Sequence, residues 1–167
     1  MFRTLRAAFA AAGLLALVAP VLAKPVNVPT GAPIISVNVP AGWSSSSTDR
    51  GLEVSTQDEE VFIWVETFVP AQRKALVAEH ESYFAKQGVK IAGEPEIKAE
   101  TQAAFKVQAT NLPATWNGKP TILRYLAYDL NLPGQTQILF TYWASPEGDK
   151  KYQAAIGAFF GSLDAPK

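Results

Sequence analysis

Val61-Phe62-Ile63-Trp64-Val65-Glu66-Thr67-Phe68-Val69 is apolar on both faces that a strand's alternation creates. Val61, Ile63 and Val65 point one way, and Phe62, Trp64 and Phe68 the other. A strand with one wet face alternates apolar with polar, so this segment predicts a central strand covered on both sides. Immediately before it, Asp58-Glu59-Glu60 reads as a solvated hairpin tip, and Gly51 to Thr56 as the preceding strand. Ile34 to Val39 reads as an earlier strand, ended by Pro40-Ala41-Gly42, and residues 24–33 as an extended lead-in.

Downstream, Pro70 opens a helical stretch to Gln87 with Gly88 as its C-cap. Leu76, His80, Tyr83, Phe84 and Gln87 share the inner face of that helix. Four strands follow near 90–98, 103–110, 120–130 and 136–143, with Asn117-Gly118 supplying a tight turn between two of them. Ser145 is an N-cap, Pro146 takes the first helical position, and Glu147 and Asp149 suit the first turn of a last helix. Tyr152, Ile156, Phe159 and Leu163 give that helix one apolar stripe. The four Asn-Val/Leu-Pro tripeptides, at 27–29, 38–40, 111–113 and 131–133, read as strand terminators rather than a repeat. The expected fold is α+β: a mainly antiparallel sheet with helices packed on it, an αβα sandwich in the order βββ-α-ββββ-α.

Arg3 and Arg6 precede an uncharged stretch, Ala7 to Val18, that is too short for a membrane span. Val21-Leu22-Ala23 then offers small or modest side chains at a peptidase site. Residues 1–23 therefore read as a signal peptide cut after Ala23, followed by a lead-in at 24–33 and a single domain at 34–167. The chain has no Cys, which excludes disulfides, thiol catalysis and a lipoprotein anchor. It has no N-glycosylation sequon either, and the expected compartment is a bacterial periplasm. Without Arg3 and Arg6 the remainder carries 13 basic against 15 acidic residues, a net charge of −2. Its basic residues never run beyond a pair, so nucleic acid is not an expected partner.

No catalytic motif is complete. His80 is the sole histidine, and His80-Glu81 fails as a zinc motif because Phe84 stands where the second ligand belongs. No nucleophile elbow and no glycine-rich phosphate loop occurs. His80, between Leu76 and Phe84, reads as a histidine at the core edge. Ser44 to Thr48, a five-hydroxyl run, reads as a mobile linker. No metal site and no cofactor is expected. Trp43 and Trp116 fall at strand ends or turns, where an indole often marks a contact. Arg124 lies among Ile122, Leu126 and Tyr128 on one strand face, so it either pairs with a carboxylate across strands or opens onto a groove. In the second case Trp43, Trp116, Arg124 and Tyr142 are the candidate wall.

A strand ending in Val39-Pro40-Ala41-Gly42-Trp43, then a hairpin, a helix, a four-stranded meander and a C-terminal helix resembles the PsbP-like αβα-sandwich superfamily. With its export signal, the chain is most similar to the DcrB-like bacterial periplasmic branch. The resemblance spans roughly 34–163 and implies a non-enzymatic binding or assembly module whose partner is an envelope protein or a small molecule. A hydrolase working with carboxylates alone, and a structural envelope protein, remain the alternatives.

Overall fold

A computed structural model describes residues 23–102 and 105–164, and the expected signal peptide lies almost wholly outside them. The strands are β1 (Lys24–Val28), β2 (Ile35–Val39), β3 (Ser44–Ser47), β4 (Gly51–Ser55) and β5 (Val61–Phe68). Helix α1 (Arg73–Lys86) follows, then β6 (Val89–Ile91), β7 (Glu96–Gln102), β8 (Phe105–Trp116), β9 (Lys119–Asp129) and β10 (Gln137–Ala144). Helix α2 (Pro146–Phe160) closes the order. The main sheet runs β3-β4-β5-β10-β9-β8-β6, with β7 also on the outer edge of β8, and every pairing is antiparallel. The α+β class and the helix-covered antiparallel sheet are as the sequence predicts.

The two-faced strand explains the layering. Val61, Ile63 and Val65 enter a core shared with Val28 of β1, Val37 of β2 and Phe159 of α2. Trp64 and Phe68 enter a second core under α1, with Leu76, Phe84 and Leu139. The strand is central because both faces are needed to hold a helix each. Ser145 caps α2 as expected, its Oγ accepting from the Gly148 amide at 2.8 Å. Asn117 and Gly118 have φ of 49° and 78°, which makes the β8–β9 turn, with Trp116 opposite Lys119.

The structure adds strands where the sequence lacks apolar alternation. Residues 24–28 of the lead-in pair with β2 as a two-stranded sheet, and Val28 is fully buried. Ser44–Ser47, expected to be a linker, is the edge strand β3. All four serines are exposed, and backbone bonds to β4 hold them. A polar, short strand suits a sheet edge, where an apolar one would invite aggregation. The segment expected as one strand over 90–98 is two, β6 and β7, which share the outer edge of β8. Asn111-Leu112-Pro113 is therefore not a terminator: Pro113 lies inside β8. Its carbonyl accepts from Ala92 N at 2.7 Å on that outer edge, so its nitrogen faces the same side. The missing N–H falls at the seam between β7 and β6 and costs the ladder to β9 nothing.

Candidate functional site

Glu66 is in phase with Trp64 and Phe68 on the face of β5 that α1 covers, and a charge there must find partners. Its Oε2 lies 2.7 Å from His80 Nε2 and its Oε1 accepts from Arg50 Nε at 3.0 Å. Arg50 also donates to Glu79 through Nη2 at 2.8 Å. His80 Nδ1 stands 3.0 Å from Thr141 Oγ1 on β10. The imidazole stacks on Trp64, with centroids 5.5 Å apart, and on Tyr125 at 6.4 Å.

Burial alone would raise the Glu66 pKa, but the hydrogen bonds and charges of His80 and Arg50 outweigh it and hold the carboxyl below its ordinary value. Arg50 lowers the Glu79 carboxyl as well. A pocket of about 320 Å³ opens over this cluster and includes Glu53, whose carboxylate accepts from Trp64 Nε1 at 2.8 Å. Three glutamates thus share one cleft. Glycoside hydrolysis needs one carboxyl held protonated as the acid, and here Glu66 and Glu79 are both pushed the other way. The sequence Thr141–His80–Glu66 has the order of a hydroxyl–imidazole–carboxylate relay, yet Thr141 is fully buried. No substrate reaches it, and the string braces α1 against the sheet. Among the described residues no group of three or more His, Asp or Glu is placed to hold a metal ion.

A second concavity, of about 300 Å³, lies beyond the same helix. Trp143 of β10 stacks on Phe62 at 5.7 Å and meets Trp116 edge-on at 5.7 Å. Trp116 is 44% exposed and fixed by Nε1 donating to Gln87 O at 2.9 Å, while Tyr83 of α1 is 40% exposed and packs edge-on against Trp64. The acidic tip 58–60 frames the other rim. Asp58 is anchored there by Lys151 Nζ at 2.7 Å and the Tyr152 hydroxyl at 2.8 Å. The Lys151 bond, helped by Thr56 and Tyr152, holds the exposed Asp58 carboxyl well below the usual range.

The four residues expected to wall a groove do not come together. Arg124 and Tyr142 are neighbours on the α2 face, with the guanidinium 5.7 Å above the ring. Tyr142 is fully buried and donates to Asp149 Oδ1 at 2.7 Å. Arg124 does find a carboxylate, but in α2 rather than across strands: Asp149 Oδ1 at 3.7 Å. Trp43 is half-buried and meets Tyr152 edge-on at 5.7 Å. Trp116 lies on the opposite face of the sheet, because its partner Trp143 alternates with Tyr142 along β10. The sequence puts Tyr83 on the inner helix face, Phe62 on a covered strand face and Trp143 within a strand, and their meeting in one cleft, with Tyr83 40% exposed, is what it does not show. Tyr83 carried a signal, since it borders the helix face that Leu76, His80 and Phe84 bury.

An antiparallel sheet with one helix on each face, in this chain order, is consistent with a PsbP-like fold. The chain is similar to the solution structure of cyanobacterial PsbP (CyanoP) from Synechocystis sp. PCC 6803, with a TM-score of 0.59. The match covers 93% of this chain and 99% of that one at 8% identity. At that identity the likeness is one of fold. No family model matches the chain, and no curated protein does.

Proposed function

We propose that the chain is a periplasmic, non-enzymatic binding module that captures an envelope protein through the cleft of Trp116, Tyr83 and Trp143. The observation that carries this reading is the exposure of two large aromatics, at 44% and 40%, on the rim of one concavity. Such side chains are usually buried, and rigid exposed aromatics at a cleft supply contact area with little loss of conformational freedom. The acidic tip beside them favours a partner segment with a Lys or Arg, which would lie over an indole face. The carboxylate cleft does not favour a hydrolase, because neither shifted glutamate is poised to donate a proton. A structural envelope protein would not need a framed aromatic cleft.

Export rests on Arg3, Arg6, the Ala7–Val18 stretch and the site before Lys24. Together with the PsbP-like fold, these favour kinship with the DcrB-like periplasmic proteins over other branches. Among the described residues no helix is long and apolar enough to cross a membrane.

Crosslinking in intact cells, followed by mass spectrometry, identifies the partner. Trp116→Ala should then weaken its capture about tenfold or more with little change in melting temperature. Tyr83→Ala should do the same to a lesser degree. Trp43→Ala should instead lower the melting temperature, since Trp43 packs on Tyr152. Undiminished capture by both Trp116→Ala and Tyr83→Ala would remove the cleft as the binding surface.

A further inference from the structure

The sheet is wider than α1, so a groove of about 610 Å³ is left between that helix and the β7–β8 end. That volume suits a small organic molecule. Val77 of α1 forms one wall, Ile97 of β7 the other, and Leu139 with the Tyr125 ring lies between them. Ile97 is 58% exposed, an isoleucine left in the open for want of anything to pack on.

Tyr125 is the informative residue. It is 3% exposed, its hydroxyl is buried, and that hydroxyl has no hydrogen-bond partner among the described residues. Buried polar groups are nearly always paired, so an orphan lining a groove marks the place of a missing partner. Burial pushes the phenol's pKa up, with the charge of Glu81 adding to it, so the group is an O–H donor at any working pH. It therefore calls for an acceptor oxygen. At the mouth, Arg73 is partly used by Gln108, to which it donates at 3.0 Å, whereas Lys74 is exposed with no ion pair among the described residues. With Glu81 as the one acid on the lining, the mouth carries net positive charge.

We propose that this groove is a second ligand site, for a small aryl or alkyl molecule that carries a carbonyl oxygen in its body and a carboxylate at one end. The body lies between Val77 and Ile97, the carbonyl accepts from Tyr125 Oη, and the carboxylate sits at the Lys74 mouth. The site is separate from the aromatic cleft, so either can fail without the other.

The probe is 4-benzoylbenzoate, which has this pattern and crosslinks under light, compared with neutral benzophenone. Crosslinks should map to α1 and β7–β9. Tyr125→Phe should weaken the probe about tenfold while the unliganded protein melts no lower than wild type, because it loses a hydroxyl that bonds to nothing. Lys74→Glu should weaken the carboxylate probe severalfold and leave benzophenone unchanged. Crosslinks scattered elsewhere, unaltered binding by Tyr125→Phe, or a lowered melting point for that variant would each overturn the assignment. Loss of Trp116-dependent capture bears only on the other site.

Discussion

Glu66 shows how one charge on a covered strand face organises its neighbourhood. It needs Arg50 from the β3–β4 turn and His80 from α1, and satisfying it ties three elements together. Removing one partner of a buried pair commonly costs about 3–5 kcal/mol, because the survivor is left without compensation. Glu66→Gln should therefore destabilise the protein by about 3 kcal/mol at neutral pH. The pH dependence has a definite sign. The folded carboxyl has a pKa below its ordinary 4.5, so the unfolded chain takes up the proton first as pH falls. The stabilisation is present in full above 4.5 and is lost as pH drops through the folded value. Thermal melts of wild type and Glu66→Gln from roughly pH 7 to pH 3 should thus converge at the acid end. A gap that stays constant would show that the charge of Glu66 is not what holds the cluster. The need for partners was legible in the sequence, since Glu66 alternates in phase with Trp64 and Phe68. Their identity was not, because Arg50 reaches it from a turn only through strand register and His80 from α1 only through packing.

At the scale of elements, α2 is positioned by its first turn against the tip between β4 and β5. Ser145 N donates to Glu60 O at 3.0 Å, and Ser145 Oγ donates to the Glu60 carboxylate. Gly148 sits so close that a Cβ there would stand 2.7 Å from the Glu60 carbonyl oxygen. Alanine is normally the better helix former by about 1 kcal/mol, but here overpacking of about 1–3 kcal/mol against backbone reverses the sign. Gly148→Ala should lower the melting temperature. Gly157→Ala, in the same helix with nothing within 4 Å of the added carbon, should raise it. Equal shifts by both would mean that α2 does not dock as described. The N-cap of this helix and the Asn117-Gly118 turn could be read from sequence because their chemistry is local. β3 could not, since four exposed serines hold a strand only through the backbone of β4. The division between β6 and β7 was hidden for a similar reason: it is set by where each meets β8.

For the whole molecule, the alternation in Val61–Val69 was enough to require two covered faces, and so a helix on each. It could not show that one face would also carry a two-stranded sheet. β1 and β2 pack there beside α2, and Asp164 bonds to the outer edge of β2 through Ser36. This layer bears on where the chain can be cut. Lys24 is opposite Val39 at the first rung of β1, and four residues later Val28 is fully buried. Burying one valine is worth about 2 kcal/mol, and losing β1 would also uncover Val37 and Val39. A peptidase cut after Ala23 spares every rung of the pairing, whereas a cut a few residues later would remove it. On the proposed export, the mature chain should therefore begin at Lys24 by N-terminal sequencing of a periplasmic fraction. A chain begun at Ile34 should melt several degrees lower, since a shift of that size follows from a few kcal/mol in a domain of about 140 residues. Recovery of a stable periplasmic protein that begins inside β1 would contradict both the cleavage site and the contribution of β1 to the core.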